Sequence, residues 1–152
     1  MQNAQLETDA WLFGAMKHEG QFDDSNYPYY DRHVCQVVKI LREVTNDSEV
    51  IAAAYLHDTV EDTNTTYEEL VKYFGSRVAD LVMEVTHDGQ KDNVGYYFPR
   101  LKTKEAILIK FADRLSNLSR MDPWPSERQE HYLRKSKFWN SSPVKQKKET
   151  NV

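Results

Sequence analysis

Apolar residues recur at helical spacing along most of the chain, and this pattern predicts an all-α protein. The segments with this period are approximately residues 4–19, 30–44, 49–62, 67–74, 77–86, 98–121 and 126–139. Glycine, proline and short polar residues separate them, as is typical of loops. No segment alternates convincingly between apolar and polar residues, as a half-buried strand would. The pattern therefore predicts a single-domain helical bundle without a sheet.

Residues at the ends of these segments are good helix caps, and they set the expected boundaries. Ser48 is the predicted N-cap of the third helix, Thr65 or Thr66 that of the fourth, and Ser126 that of the last. Pro99 fits the first turn of the long sixth helix. The predicted inward face of that helix consists of Leu108, Phe111, Ala112, Leu115 and Leu118. The predicted polar loops are residues 20–28 and 87–95.

Composition limits the classes of protein to which the chain can belong. Its 152 residues are enough for one domain with a hydrophobic core, and no apolar stretch is long enough to span a bilayer. The N-terminus lacks the basic and apolar pattern of a signal peptide. A single cysteine, Cys35, excludes a disulfide framework. These features predict a cytoplasmic protein with a folded domain over residues 1–139 and a disordered polar tail over residues 140–152.

Charge is distributed unevenly along the sequence. From Glu43 to Asp88 the net charge is −9, whereas from Arg100 to Arg120 it is +4. An acidic half that holds a cation and a basic half that holds phosphate would suit an active site, although two solvated surfaces of opposite sign would give the same counts. No basic stripe is dense enough to predict binding to duplex nucleic acid.

The most concentrated chemistry lies in residues 57–62, at the end of an alanine-rich apolar segment. These six residues include the imidazole of His57 and the carboxylates of Asp58, Glu61 and Asp62. In a continuous helix His57 would stand over Glu61, and Asp58 over Asp62. Carboxylates at the C-terminal end of a helix face the negative end of its dipole, so a compensating cation is expected.

Two more residues complete a candidate set of metal ligands. His33 lies on the preceding helix, and Asp113 falls within the apolar face of the long helix, where a carboxylate is costly unless it is paired or bound to a metal. Together with His57 and Asp58 they would balance a divalent cation, and mixed nitrogen and oxygen ligands suit Mn²⁺, Fe²⁺ or Zn²⁺. Taken singly, each residue has an ordinary alternative, such as a buried core histidine for His57 or an ion pair with a neighbouring cation for Asp113.

The sequence contains a second His-Asp pair, His87-Asp88, in the polar stretch before the long helix. No carboxylate follows it on the next turn, and a His-Asp dipeptide alone is a weak signal. We therefore interpret this pair as a loop feature outside the site.

Four stretches of the sequence together resemble the HD-superfamily hydrolase domain, and within it the SpoT/RelA-type branch with its small stand-alone alarmone hydrolases. They are His33, the string Leu-His-Asp-x-x-Glu-Asp-Thr at 56–63, the segment 73–86 and the string Lys-x-Ala-Asp-Arg-Leu-x-Asn at 110–117. The resemblance extends over residues 8–139, and the two strings are specific to that branch. It implies an all-α bundle, one bound Mn²⁺ and a nucleotide substrate.

The resemblance also implies roles for individual residues. The metal ligands would be His33, His57, Asp58 and Asp113. The catalytic acidic pair would be Glu61 and Asp62. The positions that match substrate contacts are Asn117, Arg128 and Tyr132. Beside the resemblance, Lys91 and Arg100 are candidates for binding outlying phosphates, or they are ordinary solvated cations.

One segment departs from the family pattern. The family usually follows the His-x-x-Gln of its first helix with an Arg-Lys pair that grips the nucleotide, whereas His18 and Gln21 are followed here by Phe22 and Asp23. Phe22 can stack on a purine, or it can belong to the core of a remodelled loop. This departure leaves the choice between guanine and adenine open.

The resulting hypothesis is a Mn²⁺-dependent enzyme that removes pyrophosphate from the 3′ position of (p)ppGpp or (p)ppApp. Glu61 or Asp62 would orient a water molecule and take its proton. A second hypothesis keeps the metal but makes the protein a 5′-nucleotidase or an NADPH-type phosphatase, which would release orthophosphate. A third is a nucleotide-binding sensor with weak activity, and the intact pair of carboxylates argues against it.

Overall fold

The described part of the protein is a helical bundle to which one pair of short antiparallel strands is added. The all-α class is confirmed, whereas the expectation that there would be no sheet was wrong. The computed structural model describes residues 2–91 and 97–136, and the side chains of residues 2–87 and 100–134. The helices within these ranges are α1 (Ala4–Lys17), a π-helical turn (Tyr30–Val34), α2 (Cys35–Leu41), α3 (Ser48–Leu56), α4 (Thr59–Asp62), α5 (Tyr67–Phe74), α6 (Ser76–Val85), α7 (Lys104–Leu118) and α8 (Ser126–Ser136). The strands β1 (His87–Lys91) and β2 (Tyr97–Pro99) pair antiparallel.

Helix α3 lies in the core and contacts α1, α2, α6 and α7. Its side chains from Val50 to Ala54, together with Leu56, are at most 1% exposed. The three consecutive alanines within it keep the helix narrow, so that neighbouring helices pack closely against more than one of its faces. The C-terminal end of α3 is consequently held by packing on several sides, and His57 follows it directly.

Of the predicted helix N-caps, that of α5 is confirmed and that of α3 is wrong. Thr66 and Glu69 form the predicted capping box, in which each side chain accepts the backbone N–H of the other. The prediction for Ser48 was wrong, because Asp47 caps α3 and accepts the N–H of Glu49. The hydroxyl of Ser48 is instead buried and donates to Glu7.

The predicted third helix is interrupted at His57 and Asp58, so its prediction as one continuous helix was wrong. Two local side-chain bonds explain the break. Nδ1 of His57 donates to the carbonyl of Ala54 (2.8 Å), and the hydroxyl of Thr59 donates to the carbonyl of Leu56 (2.7 Å). Both carbonyls would be needed by a continuing helix. Glu61 and Asp62 therefore lie in the single turn of α4. The expectation that they face the negative end of the dipole of a long helix was wrong.

The region before the long helix was also predicted wrongly. The stretch expected to be a polar loop contains β1, and Pro99 lies in β2 instead of in the first turn of a helix. α7 begins only at Lys104, after the cap residue Thr103. Glu84 of α6 accepts the N–H groups of Lys102 (2.6 Å) and Thr103 (2.7 Å), which fixes the start of α7 against α6.

The buried face of α7 differs from the predicted one. Phe111 and Leu115 are 39% and 52% exposed, so their assignment to the core was wrong. The residues that are buried on this helix are Ala106, Ile109, Ala112, Asp113, Arg114 and Ser116. The buried stripe includes polar side chains, which a pattern of hydrophobic residues cannot assign to the interior.

The helix predicted over residues 30–44 begins as the π-helical turn and ends at Leu41. His33 lies in the π turn and is fully buried; such turns are frequent at functional sites. None of the helices within residues 2–91 and 97–136 combines the length and the hydropathy that a bilayer span requires. The predicted end of the last helix and the predicted tail over 140–152 lie outside the described residues.

Candidate active site

Four side chains from three separate segments meet in the interior. His33 comes from the π turn, His57 and Asp58 from the break between α3 and α4, and Asp113 from the middle of α7. One ligand atom of each lies within 4.8 Å of the others. The two histidines and Asp113 are buried, and Asp58 is half-buried. The structure thus brings together all four residues that sequence reasoning selected as metal ligands.

Asp113 joins the two imidazoles of this cluster. Its Oδ1 lies 2.9 Å from Nε2 of His33 and 3.3 Å from Nε2 of His57. Asp58 approaches the same nitrogens, with Oδ1 3.2 Å from Nε2 of His57 and Oδ2 4.0 Å from Nε2 of His33. Both rings therefore direct Nε2 towards the two carboxylates.

Hydrogen bonds on the far side of each imidazole orient the rings. Nδ1 of His57 donates to the carbonyl of Ala54, which can only accept. Nδ1 of His33 lies 3.0 Å from the hydroxyl oxygen of Ser116 and accepts from Arg120 (2.7 Å). The bond of His57 is of the kind that holds metal-binding rings in position, because it keeps the ring proton on Nδ1.

The two carboxylates make the cluster favourable for positive charge. Burial alone would lower the pKa of His57, but Asp58 and Asp113 outweigh it and raise that pKa well above its usual value. Burial would raise the pKa of Asp113, yet hydrogen bonds from His33 and His57 hold it well below its usual range. The hydroxyl of Tyr29 also donates to Asp58. Two neutral imidazoles and two carboxylates would balance a divalent cation, so this donor set fits one.

Glu61 and Asp62 line a cavity of about 250 Å³ beside the cluster, which we call the inner cavity. Partial desolvation and repulsion by Asp58 and Glu61 raise the pKa of Asp62 to about 6. Glu61 accepts the backbone N–H of His87 (2.8 Å). The other residues that line the inner cavity include Tyr29, Lys110, Arg114, Asn117 and Tyr132. A carboxylate that titrates near neutral pH is well suited to exchange a proton with water.

A second cavity of about 430 Å³, the outer cavity, shares Tyr29, Asn117 and Tyr132 with the inner one. Its aromatic walls include Phe22 and Trp124. Its positive charges come from Arg32, Arg120 and Arg128. Phe22 is 60% exposed, so the alternative that it belongs to the core was wrong. The shared residues make the two cavities neighbouring parts of one site.

The predicted substrate contacts lie at different places in this site. Asn117 and Tyr132 stand between the cavities, where the side chain of Asn117 donates to the hydroxyl of Tyr132 (2.7 Å). The guanidinium of Arg128 lies 3.9 Å from the ring centroid of Trp124 and 2.7 Å from a carboxylate oxygen of Asp24.

The two remaining candidates are Arg100 and Lys91. Arg100 donates to the carbonyl of Met83 (3.5 Å) and does not line the inner or the outer cavity. The side chain of Lys91 lies outside the described residues.

Several residues at the site were not selected from the sequence. They are Tyr29, His87, Lys110 and Arg114 at the inner cavity, and Arg32, Arg120 and Trp124 at the outer one. The interpretation of His87 as a residue outside the site was wrong. Lys110 and Arg114 belong to the same string, 110–117, as Asp113, and this proximity in the sequence could have indicated that they lie at the site. Arg32 and Arg120 of the outer cavity carry no local pattern that points to it.

The fold and the four-residue cluster define a class of protein. The sequence profile described as "HD domain" matches residues 10–94, which include His33, His57 and Asp58. The chain belongs to the HD domain family.

Within this family the chain is similar to proteins of known reaction. It is 39% identical to the guanosine-3′,5′-bis(diphosphate) 3′-pyrophosphohydrolase MESH1 of Danio rerio, over 92% of this chain and 83% of that protein. Identity to the protein of the same name from Xenopus tropicalis is 36%, over 98% of this chain and 88% of that one. A solved structure, described as a metazoan ortholog of SpoT that hydrolyzes ppGpp, matches with a TM-score of 0.74 at 30% identity, covering 91% of this chain and 85% of that chain.

Proposed function

We propose that the protein is a divalent-metal-dependent pyrophosphohydrolase that removes pyrophosphate from the 3′ position of an alarmone, (p)ppGpp or (p)ppApp. The observation that carries the proposal is the inner cavity, where the four-residue cluster lies beside Glu61 and Asp62. The names of the Danio rerio and Xenopus tropicalis relatives support the reaction and the substrate class.

We assign the cation to His33, His57, Asp58 and Asp113. Mn²⁺ is the proposed ion, and Zn²⁺ or Fe²⁺ are alternatives that mixed imidazole and carboxylate ligands also accept. When bound, the cation would polarise a phosphate oxygen and lower the pKa of water at the site. The orientation of both Nε2 atoms towards Asp113 supports this assignment.

Glu61 and Asp62 are the proposed acid–base residues. Asp62, with its pKa raised to about 6, is mostly ionised at neutral pH and still basic enough to accept the proton of the attacking water. Glu61 is held by the N–H of His87 and orients that water.

The outer cavity is the proposed binding site for the nucleoside and its 5′ phosphates. Phe22 and Trp124 offer aromatic faces on which a purine can stack. Arg32, Arg120 and Arg128 can donate charged hydrogen bonds to phosphate oxygens. Asn117 and Tyr132, at the junction of the cavities, are positioned to contact the ribose and the scissile phosphate.

We further propose that residues 1–139 form the functional domain and that the protein is cytoplasmic. Its partner would be a small nucleotide, with neither duplex nucleic acid nor a membrane involved. The single cysteine and the lack of a dense basic stripe support these statements.

A product assay tests the proposed function. The purified protein with Mn²⁺ is given ppGpp, ppApp, NADPH and a panel of deoxynucleoside monophosphates, and pyrophosphate and orthophosphate are measured separately. We expect pyrophosphate from the 3′-pyrophosphorylated nucleotides. Orthophosphate from the monophosphates or NADPH alone would contradict the proposal and favour the phosphatase alternative. The double variant Glu61→Gln, Asp62→Asn should bind the nucleotide without turning it over; turnover at the wild-type rate would refute the catalytic assignment.

A further inference from the structure

His87 is a residue of the inner cavity to which the proposed function gives no chemical role. It is the first residue of β1, where the chain leaves α6, and its side chain is 34% exposed. It is brought to the cluster by the hairpin that replaces the predicted loop. Its position therefore depends on tertiary structure and not on the string at 56–63.

The contacts of His87 with Glu61 have two parts. Its backbone N–H donates to Oε1 of Glu61 (2.8 Å), and this bond does not depend on the side chain. Its imidazole Nε2 lies 4.0 Å from the same oxygen. The ring thus stands next to the carboxylate while the backbone holds that carboxylate in place.

The charged groups that line the inner cavity together with His87 come from three segments. They are Asp58 and His57 after α3, Glu61 and Asp62 of α4, and Lys110, Asp113 and Arg114 of α7. Among these groups, Oε1 of Glu61 lies 4.0 Å from Nε2 of the ring. An imidazole is also the side chain that most readily gives and takes a proton near neutral pH.

We propose that His87 is the general acid of the reaction and protonates the ribose 3′ oxygen as pyrophosphate departs. This inference rests on the proposed function. Water attacks the phosphorus attached to the 3′ oxygen, so that one phosphorus–oxygen bond forms and the bond to the ribose breaks. The proton of the water goes to the Glu61–Asp62 pair, and the proton of the His87 imidazolium goes to the departing oxygen. The products are a nucleoside 3′-hydroxyl and pyrophosphate, and both proton transfers are accounted for.

A general acid is needed because a ribose hydroxyl is a very weak acid and leaves poorly as an alkoxide. The proposed base pair and His87 lie on adjoining parts of the inner cavity wall, so one substrate can contact both. A proton returned from Glu61 or Asp62 to the ring resets the site for the next turnover, since Glu61 is the neighbour of His87.

The variants His87→Gln and His87→Lys test the proposal, because both keep the backbone N–H that holds Glu61. The rate of pyrophosphate release from ppGpp or ppApp, whichever wild type hydrolyses faster, is measured against pH with Mn²⁺, and bound manganese and circular dichroism are measured in parallel. We expect His87→Gln to lower kcat roughly 10²- to 10⁴-fold with little change in KM, and to lose the alkaline limb of the pH profile. In His87→Lys that limb should move to higher pH, because an amine titrates above an imidazole.

Three outcomes overturn the proposal. One is a His87→Gln variant with wild-type kcat, and another is a reduced kcat whose alkaline limb stays at the same pH in both variants. The third is a loss of activity that follows loss of manganese or of helical structure in both variants, since His87 would then be structural. Failure of the proposed function is a separate result, because wild type would then release no pyrophosphate from either nucleotide.

Discussion

The inner and outer cavities share three side chains, yet they are constructed differently. The inner cavity is lined mostly by residues from helices packed around the core, and His57 there is only 4% exposed. The outer cavity lies between the loop after α1 and the turn before α8, and Phe22 and the side chain of Arg128 there are 60% and 51% exposed. The bundle thus fixes the groups proposed for chemistry, whereas the groups proposed for nucleotide selection lie on segments that can change without disturbing the core.

A single carboxylate organises the loop that lines the outer cavity. Asp23 accepts the N–H groups of Ser25 (2.9 Å) and Tyr27 (3.0 Å), and it lies 3.7 Å from both Arg32 and Arg120. Burial would raise the pKa of Asp23, but these hydrogen bonds and the two guanidinium groups keep it below its usual value. Arg32 and Arg120 therefore lie beside Asp23, at the position where the related family carries an Arg-Lys pair.

The largest effect is expected when the inner cavity loses Asp113. Asp113→Asn removes the charge that both imidazoles contact. We therefore expect metal affinity to fall by more than the roughly 10- to 100-fold loss that is typical when a residue hydrogen-bonded to a metal ligand is changed. Turnover should become undetectable. Isothermal titration with Mn²⁺ and the pyrophosphate assay check both expectations. Asp80→Asn is the matched control, because Asp80 is an exposed carboxylate of α6 that accepts from Tyr67. Equal losses in the two variants would contradict the assignment of the ligand.

The next largest effect concerns the pH dependence of catalysis. Asp62 acts as a base whose pKa is about 6 in the metal-free protein, and a bound cation nearby lowers that pKa. We therefore expect kcat to fall as the pH drops through about 6 or below. Asp62→Asn should lower kcat about 100-fold or more and remove this acidic limb. A pH–rate profile of both proteins is the measurement. An unchanged acidic limb in the variant would assign it to another group, such as water at the metal.

Asp62 should also make the stability of the fold depend on pH, and here low pH is favourable although it lowers kcat. The pKa of Asp62 in the folded, metal-free protein is about 6, above the value of about 3.9 for an unfolded aspartate. The folded state therefore binds the proton more tightly, and its stability falls as pH rises from about 4 to about 6. Since the side chain is largely exposed, we expect Asp62→Asn to stabilise the chelated protein at pH 7 by no more than about 1 kcal/mol. Urea unfolding of the chelated wild type and of the chelated variant, at about pH 4, about pH 6 and pH 7, measures the difference in their free energies of unfolding. A destabilised variant would contradict the argument.

Much of the inner cavity could be predicted from the sequence because its signals are local. His57, Asp58, Glu61 and Asp62 are neighbours in the chain, and Asp113 was conspicuous as a carboxylate among apolar residues. The helix break at His57 was not predicted, because it depends on side-chain bonds to the carbonyls of the preceding turn. The continuous helix and the broken one nevertheless place the same residues beside one another.

The outer cavity could not be predicted in the same way, because its interactions join distant segments. Asp23 and Arg120 are 97 positions apart, and nothing near either residue indicates the other. His87 was missed for a similar reason, since it contacts Glu61 from β1, 26 positions further along the chain. Phe111 and Leu115 of α7 were wrongly assigned to the core, because the polar side chains of Asp113, Arg114 and Ser116 occupy part of the interior side of that helix.

A smaller effect is expected for the aromatic wall of the outer cavity. Phe22→Ala should raise KM about tenfold with little change in kcat, because stacking of a base on an aromatic ring contributes about 1–3 kcal/mol. Steady-state kinetics on ppGpp and ppApp measure the change and its dependence on the base. Tyr73→Ala is the control, because Tyr73 is a similarly exposed aromatic residue on α5, away from both cavities. A fall in kcat as large as the rise in KM would mean that the loop also shapes the inner cavity.

The smallest effect is expected for the ion pair between Asp24 and Arg128 at the rim of the outer cavity. Both side chains are 51% exposed, so the pair should contribute no more than about 1 kcal/mol to stability. Asp24→Asn releases the Arg128 guanidinium towards a substrate phosphate, so KM should fall, by less than about fivefold, and the gain should shrink as salt is added. Arg128→Gln should raise KM, and in that background Asp24→Asn should have no further effect. If Asp24→Asn lowers KM equally with and without Arg128, the carboxylate must act by repelling the substrate directly, and the outer cavity would then select nucleotides by its net charge and not by the position of one arginine.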